Sequence, residues 1–213
     1  MRKVQSLKDS GPENVAELSS RDRILQAGRE LFAEDGYEHT TTSAIARRAG
    51  TSESQLIKHF SSKEGLLAGI FDQAWQRMGE GVEHIRDGEA PTLERLRALT
   101  DLLITAMERD LQLRTLMLLE ARRIRKHGHR VLMTRGFQQA IDVLDGLLVD
   151  LQSAGTLRAD LHPQAVRSAL MGAFEGLLRD QLLAERSDFP ANYDGVELRT
   201  VFRAVLEGVL VRP

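Results

Sequence analysis

The stretch TTTSAIARRAGTSESQLIKHFSSKE, residues 40–64, carries the most information about the fold of this chain. The threonines at its start favour a helix beginning, because a hydroxyl can accept a hydrogen bond from an otherwise unpaired backbone N–H. Gly50 suits a helix end, where a left-handed backbone costs little without a Cβ. Ser52 and Gln55 have the spacing of a capping box and start a second short helix. The stretch therefore predicts two short helices joined by a tight turn.

Apolar side chains give each of these short helices one inner face. Ile45, Ala46 and Ala49 line it in the first helix, and Leu56 and Phe60 line it in the second. The other face of the second helix carries Glu53, Ser54, Gln55, Lys58 and His59. This is the layout of a helix-turn-helix, which places its second helix in the DNA major groove. A helical hairpin inside a bundle shows the same turn and caps, so spacing alone leaves both interpretations open.

Helices are also predicted on both sides of this stretch. Ser19 has the capping-box spacing that starts a preceding helix, which Gly36 ends. Ser61 and Glu64 repeat that spacing and predict a following helix that runs from about Lys63 to about Gly81. Beyond it, apolar residues recur at helical spacing almost to the end of the chain, and no strand pattern or internal repeat is present.

Residues 21–76 resemble the DNA-binding domain of the TetR family of transcriptional regulators. The resemblance rests on the opening helix RILQAGRELFAEDGY, the T-T-x-x-I-A-x-x-A-G run from Thr41 to Gly50, and the L-x-x-H-F-x-x-K-E segment from Leu56 to Glu64. It implies an all-α protein with an N-terminal three-helix helix-turn-helix DNA-binding domain and a C-terminal helical ligand-binding and dimerisation domain. Past residue 80 the resemblance is architectural only.

The resemblance also implies which side chains contact DNA. The positions that contact the DNA backbone are Thr42, Ile57, His59 and Lys63. The positions that read base edges are Ser43, Ser54, Gln55 and Lys58. The family usually has a tyrosine that touches a phosphate where this chain has Ile57, which cannot donate a hydrogen bond. Gln55 can pair bidentately with adenine, and Lys58 can reach guanine O6 or N7.

Three charged residues of the same region have more than one interpretation. Glu53 either accepts a hydrogen bond from a cytosine amine or stabilises the start of its helix electrostatically. Arg47 and Arg48 lie on the outer face of the first helix, where at least one is expected to reach a phosphate. The other is then only solvated.

Composition bounds the remaining possibilities. The net charge of −2 argues by itself against nucleic acid, but residues 40–63 carry Arg47, Arg48, Lys58 and Lys63 against Glu53 alone. That local excess suits phosphate contacts. Cysteine is absent, so no disulfide framework is expected. With no membrane-length apolar run and no signal-peptide core, the chain is expected to be cytoplasmic and without a membrane partner.

The predicted organisation has three parts. Residues 1–18 are polar and aperiodic and are expected to form a disordered N-terminal arm. Residues 19–64 form the helix-turn-helix DNA-binding domain, and residues 65–213 form the helical effector-binding and dimerisation domain.

Small residues form a stripe along one predicted helix near the C-terminus. The stripe consists of Ala165, Ala169, Gly172 and Gly176, and Ala204 and Gly208 repeat the pattern in the last helix. Glycine inside a helix costs roughly 1 kcal/mol against alanine, so close backbone approach is a plausible compensation. The resemblance implies that residues 163–185 and 196–210 form a four-helix interface in a homodimer. The alternative is tight packing within one subunit.

A ligand pocket is implied by the resemblance inside the helices between residues 63 and 185. The candidates are Trp75, Met78, Leu103, Met107, Met117, Met133, Phe137, Ile141, Phe174 and Glu175. Methionines adapt to varied apolar shapes. For each apolar candidate the alternative is plain core packing, and for Glu175 it is an ordinary ion pair with Arg179 one helical turn away. The ligand's identity does not follow from these residues.

Motifs of the common enzyme classes are missing. The chain has no H-E-x-x-H, P-loop, G-x-S-x-G or G-x-G-x-x-G pattern, so no catalytic site is expected. His127 and His129 lie in a basic loop that repels a cation, and neither a metal ion nor a cofactor is expected.

The prediction is therefore a ligand-responsive repressor. Its expected partners are a palindromic double-stranded DNA operator, an unidentified small-molecule effector and a second copy of the chain. Two alternatives stay open. One is a helical adaptor that keeps the helix-turn-helix shape without sequence-specific DNA binding, and the other is activation rather than repression.

Overall fold

The fold is described from a computed structural model, which covers residues 18–120 and 134–211. Within these residues the chain forms nine α-helices, and its only β-structure is an isolated bridge between Leu157 and Leu210. The helices are α1 Ser20–Asp35, α2 Thr42–Arg48, α3 Glu53–Phe60, α4 Lys63–Asp87, α5 Thr92–Arg109, α6 Leu111–Glu120, α7 Arg135–Ser153, α8 Pro163–Arg186 and α9 Gly195–Glu207. The prediction of an all-α protein is confirmed.

Side-chain caps explain where the first helices begin. The hydroxyls of Ser19, Thr41 and Ser52 accept hydrogen bonds from the backbone N–H three residues further on, at 3.1, 3.1 and 3.3 Å. A cap of this kind stabilises a helix start by about 1 kcal/mol. The predicted starts of α1, α2 and α3 are therefore confirmed.

The predicted start of α4 at about Lys63 is confirmed, but its predicted cap, Ser61, is wrong by one residue. Ser61 is the C-cap of α3, with φ at 63° and its N–H bonded to the carbonyl of Ile57. This left-handed conformation turns the chain at the end of α3. The cap of α4 is Ser62, whose hydroxyl accepts from the N–H of Gly65 at 3.0 Å.

Helix α4 also continues past the predicted end at Gly81. Val82 is buried and Ile85 packs against the core, so the additional turns have apolar contacts that stabilise them. A Cβ at Gly81 would lie 3.1 Å from Leu102 of α5, which makes this glycine a point of close approach between two helices. The helix ends at Asp87, and Gly88 follows as its C-cap.

One hydrophobic cluster extends through both halves of the described chain. It includes Ile24 and Leu56 near the N-terminus, Phe71 on α4, and Leu148 and Phe202 towards the C-terminus. Helix α1 packs against α2, α3, α4 and α6, while α4 also packs against α5 and α7. The first three helices are thus joined to the rest of the bundle by the packing of α1 against α4 and α6 and of α3 against α4.

The length and polarity of the helices decide whether any of them could cross a membrane. Within residues 18–120 and 134–211, no helix has the length and apolar character needed to cross a bilayer.

Candidate DNA interface and ligand cavity

The inner faces of α2 and α3 hold the helix-turn-helix together. Ile45 and Leu56 are completely buried, and Phe60 is nearly so. Arg23 of α1 fixes the end of α2, because its Nε donates to the carbonyl of Ala49 at 3.1 Å. Sequence reasoning missed Arg23, since the contact joins residues far apart in the chain. The buried hydroxyl of Thr40, which donates to the carbonyl of Gly36 at 2.8 Å, was also missed.

The outer face of α3 is fully accessible. It exposes Glu53, Ser54, Gln55, Ile57, Lys58 and His59. Ile57 is 43% exposed, which is unusual for a large apolar residue beside polar neighbours. Within the described part of the chain, the side chains of Gln55 and Lys58 have no hydrogen-bond or ion-pair partner.

Two other predicted DNA-contact residues are bonded to each other. The Thr42 hydroxyl of α2 donates to the Glu53 carboxylate of α3, so the pair links the two helices. Glu53 also lies in the first turn of α3, where its charge suits the helix N-terminus. In this conformation its carboxylate has a partner within the protein.

The neighbouring arginines of α2 differ in their surroundings. Arg48 makes ion pairs with Glu30 at 3.3 Å and Glu34 at 3.4 Å, both on α1. Arg47 is exposed, along with Ser43 one turn earlier, and forms no ion pair with any described residue. Arg47 is therefore the arginine whose charge is available at the surface.

Lys63 faces into the protein. Its ammonium donates to the carbonyls of Tyr37 at 2.8 Å and Thr40 at 3.0 Å. It also lies 4.4 Å from the centre of the Tyr37 ring, a cation–π distance. These contacts connect the start of α4 to the loop between α1 and α2. In this conformation Lys63 therefore holds these two segments together.

An apolar cavity of about 70 Å³ lies among helices α4 to α8. Of the predicted pocket residues, it is lined by Trp75, Leu103, Met107, Met117, Phe137, Phe174 and Glu175. Met78 and Ile141 do not line it: Met78 is buried in the core, and Ile141 is half-buried on α7. Met133, like His127, His129 and residues 1–17, lies outside the described residues.

Sequence reasoning missed four residues of the cavity wall. These are Phe71, Leu118, Thr134 and Leu178. Phe71 precedes Trp75 by four residues and Leu178 follows Phe174 by four, so helical spacing from the predicted residues would have found both. Thr134 caps α7, accepting a hydrogen bond from the N–H of Phe137, and nothing in the sequence pattern separates it from an ordinary cap.

Close helix packing forms one side of the cavity. A Cβ on Gly136 of α7 would overlap the Cβ of Trp75 on α4, so only glycine permits this approach. The Trp75 and Phe137 rings are 5.3 Å apart between centroids. Glu175 is the charged residue of the wall, and Arg179 one turn later donates to the carbonyl of Leu118 at 2.8 Å.

Two of the cavity helices also contact the DNA-binding half. Helix α4 carries Phe71 and Trp75 into the cavity and begins directly after the turn that ends α3. Helix α6 carries Met117, and its first turn is fixed by Asp110, which accepts from the N–H of Leu113 at 2.9 Å. The same carboxylate forms an ion pair with Arg29 of α1. The cavity is therefore connected to the helix-turn-helix through two helices, α4 and α6.

The predicted stripe of small residues is exposed in the single chain. Ala165, Ala169, Gly172, Gly176, Ala204 and Gly208 are all accessible. A Cβ added at Gly172 or Gly176 would meet no other atom within 4 Å, which does not fit tight packing within one subunit. Leu183, Val201 and Val205 are also exposed on the same two helices, so α8 and α9 carry uncovered apolar surface.

These features together define a class of protein. The chain has a three-helix unit whose third helix, α3, is accessible, attached to a helical body with an apolar cavity. This is the architecture of a helix-turn-helix regulator. No group of three or more potential metal ligands occurs in the described residues.

Comparison with known proteins places the chain more narrowly. The family model for bacterial regulatory proteins of the tetR family matches residues 24–70. The nucleoid occlusion factor SlmA of Vibrio vulnificus (strain YJ016) is 28% identical over 170 residues, which are 79% of this chain and 85% of that protein.

Two solved structures share the fold. One is the transcriptional regulator FadR from Bacillus subtilis in complex with stearoyl-CoA, with a TM-score of 0.70 and 21% identity, covering 89% of this chain and 97% of that one. The other is SmeT, the repressor of the Stenotrophomonas maltophilia multidrug efflux pump SmeDEF, with a TM-score of 0.69 and 21% identity over 93% of each chain.

Over residues 24–70 the chain matches the TetR family of bacterial regulatory proteins. It is a DNA-binding transcription regulator, and its family and structural neighbours are regulators rather than enzymes.

Proposed function

We propose that this protein is a ligand-responsive repressor that binds a palindromic operator as a homodimer in the cytoplasm, where its DNA partner lies. The observation that carries the proposal is the accessible outer face of α3, which lies opposite a fully buried inner face. A helix held in this way can enter the major groove without rearranging the protein.

The DNA contacts are proposed from side-chain availability. Ser43, Ser54, Gln55 and Lys58 are exposed and are assigned to base edges, with Gln55 suited to adenine and Lys58 to guanine. Arg47 and His59 are assigned to phosphates, and Ile57 to a sugar or a thymine methyl group. These positions occupy one continuous face of α2 and α3.

Four residues are proposed to position the interface in the free protein. Thr42 and Glu53 link α2 to α3, and Arg48 links α2 to α1. Lys63 links α4 to the loop that precedes α2. The contacts that these four side chains make within the protein compete with any contact to DNA.

A homodimer is supported by the uncovered apolar surface of α8 and α9. Gly172 and Gly176 have no Cβ, so the backbone of a second α8 can come close. Two-fold symmetry would place the two recognition helices about one DNA turn, roughly 34 Å, apart, which requires a palindromic site.

Ligand response is supported by the position of the cavity. Its walls include α4 and α6, and both of these helices contact the DNA-binding half. A ligand that binds the DNA-released conformation more tightly shifts the population towards it, by the difference between its two affinities. The cavity is far smaller than the roughly 300 Å³ of a typical ligand pocket, so a ligand of ordinary size must enlarge it. The solved FadR structure contains stearoyl-CoA, and SmeT is a repressor, which supports both parts of the proposal by analogy.

The similarity to a nucleoid occlusion factor favours a second candidate. As this second candidate we propose a nucleoid occlusion factor, the role that the relative's name gives, in which the DNA interface is used and the cavity takes no effector. The two candidates share the DNA interface and differ in whether the cavity is used.

Selection of bound sequences from a random double-stranded DNA pool tests the shared part. The protein should enrich a palindrome, and light scattering should give two copies of the chain per DNA duplex. No enrichment by the folded protein would reject specific DNA recognition and favour a helical adaptor. A search for small molecules that release the selected DNA then separates the repressor from the second candidate.

A further inference from the structure

A second apolar cavity of about 30 Å³ lies next to the first. Its walls come from α5, α7, α8 and α9, and they include Ile104, Leu144, Leu170 and Phe202. The one hydroxyl in the wall belongs to Thr100, and it donates to the backbone carbonyl of Arg97 at 2.8 Å. This pocket is partly open to the surface, and because its wall leaves no polar group free to hold water, it suits a hydrocarbon group.

The two cavities share two side chains. Leu103 of α5 and Phe174 of α8 line both of them, so they form the partition between the two spaces. Neither side chain is part of the fully buried core, and both pack against it from its edge. A rotation of these side chains would join the two spaces into one elongated apolar channel.

We propose that the effector is an elongated apolar molecule with an unbranched hydrocarbon chain that passes from the first cavity into the second by displacing Phe174. This inference rests on the ligand-responsive function proposed above and specifies its ligand class. Phe174 then acts as a gate that determines which chain lengths the protein accepts.

The gate also contacts the helix proposed for the dimer interface. The rings of Phe174 and Phe202 are 5.8 Å apart and meet edge to face. Phe202 lies on α9, which exposes Val201 and Val205 next to it. A chain that enters the second cavity therefore pushes on α9 directly, whereas a short ligand confined to the first cavity does not.

Binding of a series of straight-chain 1-alkanols, from 1-butanol to 1-decanol, tests this inference by isothermal titration of the full chain. Each methylene group that enters an apolar space should lower the dissociation constant about fourfold. For wild type we expect this decrease to continue past the length that fills the first cavity.

Three variants identify where the hydrocarbon chain goes. Phe202→Leu enlarges only the second cavity, so it should leave short alkanols unchanged and tighten the binding of long ones severalfold. Phe137→Leu alters only the first cavity, so it should change the affinity of all lengths by a similar factor. Phe174→Leu should move the onset of the extra affinity to shorter chains. Each variant is first checked for native helix content by circular dichroism.

Three outcomes would overturn the inference. One is an affinity that stops increasing at the same short length in all four proteins. Another is a Phe202→Leu variant that changes no chain length selectively. The third is a folded protein that binds no alkanol, in which case DNA selection by the same sample still decides the proposed DNA-binding function independently.

Discussion

Helices α3 and α8 are built on the same plan and differ in what they leave exposed. Each buries one apolar face in the core: Leu56 and Phe60 on α3, Val166 and Leu170 on α8. The outer face of α3 is polar and basic, while that of α8 is lined by small and apolar residues. The buried faces determine the fold, and the exposed faces determine the partner. A face of donors and charges suits DNA, and a smooth apolar face suits a second copy of the chain.

The largest expected effect comes from placing a charge on the outer face of α8. A Cβ added at Gly176 has no other atom within 4 Å, so Gly176→Arg should keep the fold while the dimer dissociates. A monomer presents one recognition helix, and operator affinity should fall by about 10³-fold or more, towards non-specific binding. Light scattering and operator titration measure the two effects.

Gly146→Arg is the matched control for this variant. Gly146 is also an exposed helical glycine without neighbouring atoms, but it lies on α7. The control should remain dimeric with unchanged operator affinity. A dimeric Gly176→Arg protein would show that α8 is not the interface.

The two faces of α3 can be compared at adjacent residues. Leu56→Ala creates a cavity in the core and should lower the free energy of unfolding by about 2–5 kcal/mol. Ile57→Ala, at a position that is 43% exposed, should change it by less than about 0.5 kcal/mol. Urea denaturation measures both values. Equal losses would mean that α3 is not anchored in the way described.

The smallest effect distinguishes the adjacent arginines of α2. Arg47→Ala should reduce the slope of log K against log salt by about 0.9, which is the loss of one phosphate contact. Arg48→Ala removes the surface ion pairs with Glu30 and Glu34 and should leave this slope unchanged, at a stability cost of about 0–1 kcal/mol. Salt titrations of operator binding compare the two. The reverse order of slopes would assign the phosphate contact to Arg48.

Local sequence signals were sufficient for most of the fold. Hydroxyl caps at Ser19, Thr41 and Ser52 and apolar spacing located the helices, since both signals act within one or two turns. The cap of α4 was assigned to Ser61 instead of Ser62 because both offer the same hydroxyl, and only the left-handed turn at Ser61 separates them.

The site was less predictable because its details depend on contacts between distant segments. The ammonium of Lys63 bonds to carbonyls of the α1–α2 loop, and Arg48 pairs with α1, neither of which the local pattern indicates. For the cavity, the family resemblance implied a pocket, with Trp75 and Phe174 among its candidate residues. The exclusion of Met78 depends on how α4 is rotated against its neighbours, which is a property of the assembled bundle.

The outer face of α3 as the reader of DNA bases is the central claim, and Gln55→Ala tests it most directly. Binding of this variant would be measured against a set of operators in which each base pair is changed in turn. The account predicts that preference at one position per half-site relaxes by about 1–3 kcal/mol, while all other positions keep theirs. A binding profile identical to that of wild type would contradict the claim, because the most accessible amide on the proposed recognition helix would then read no base.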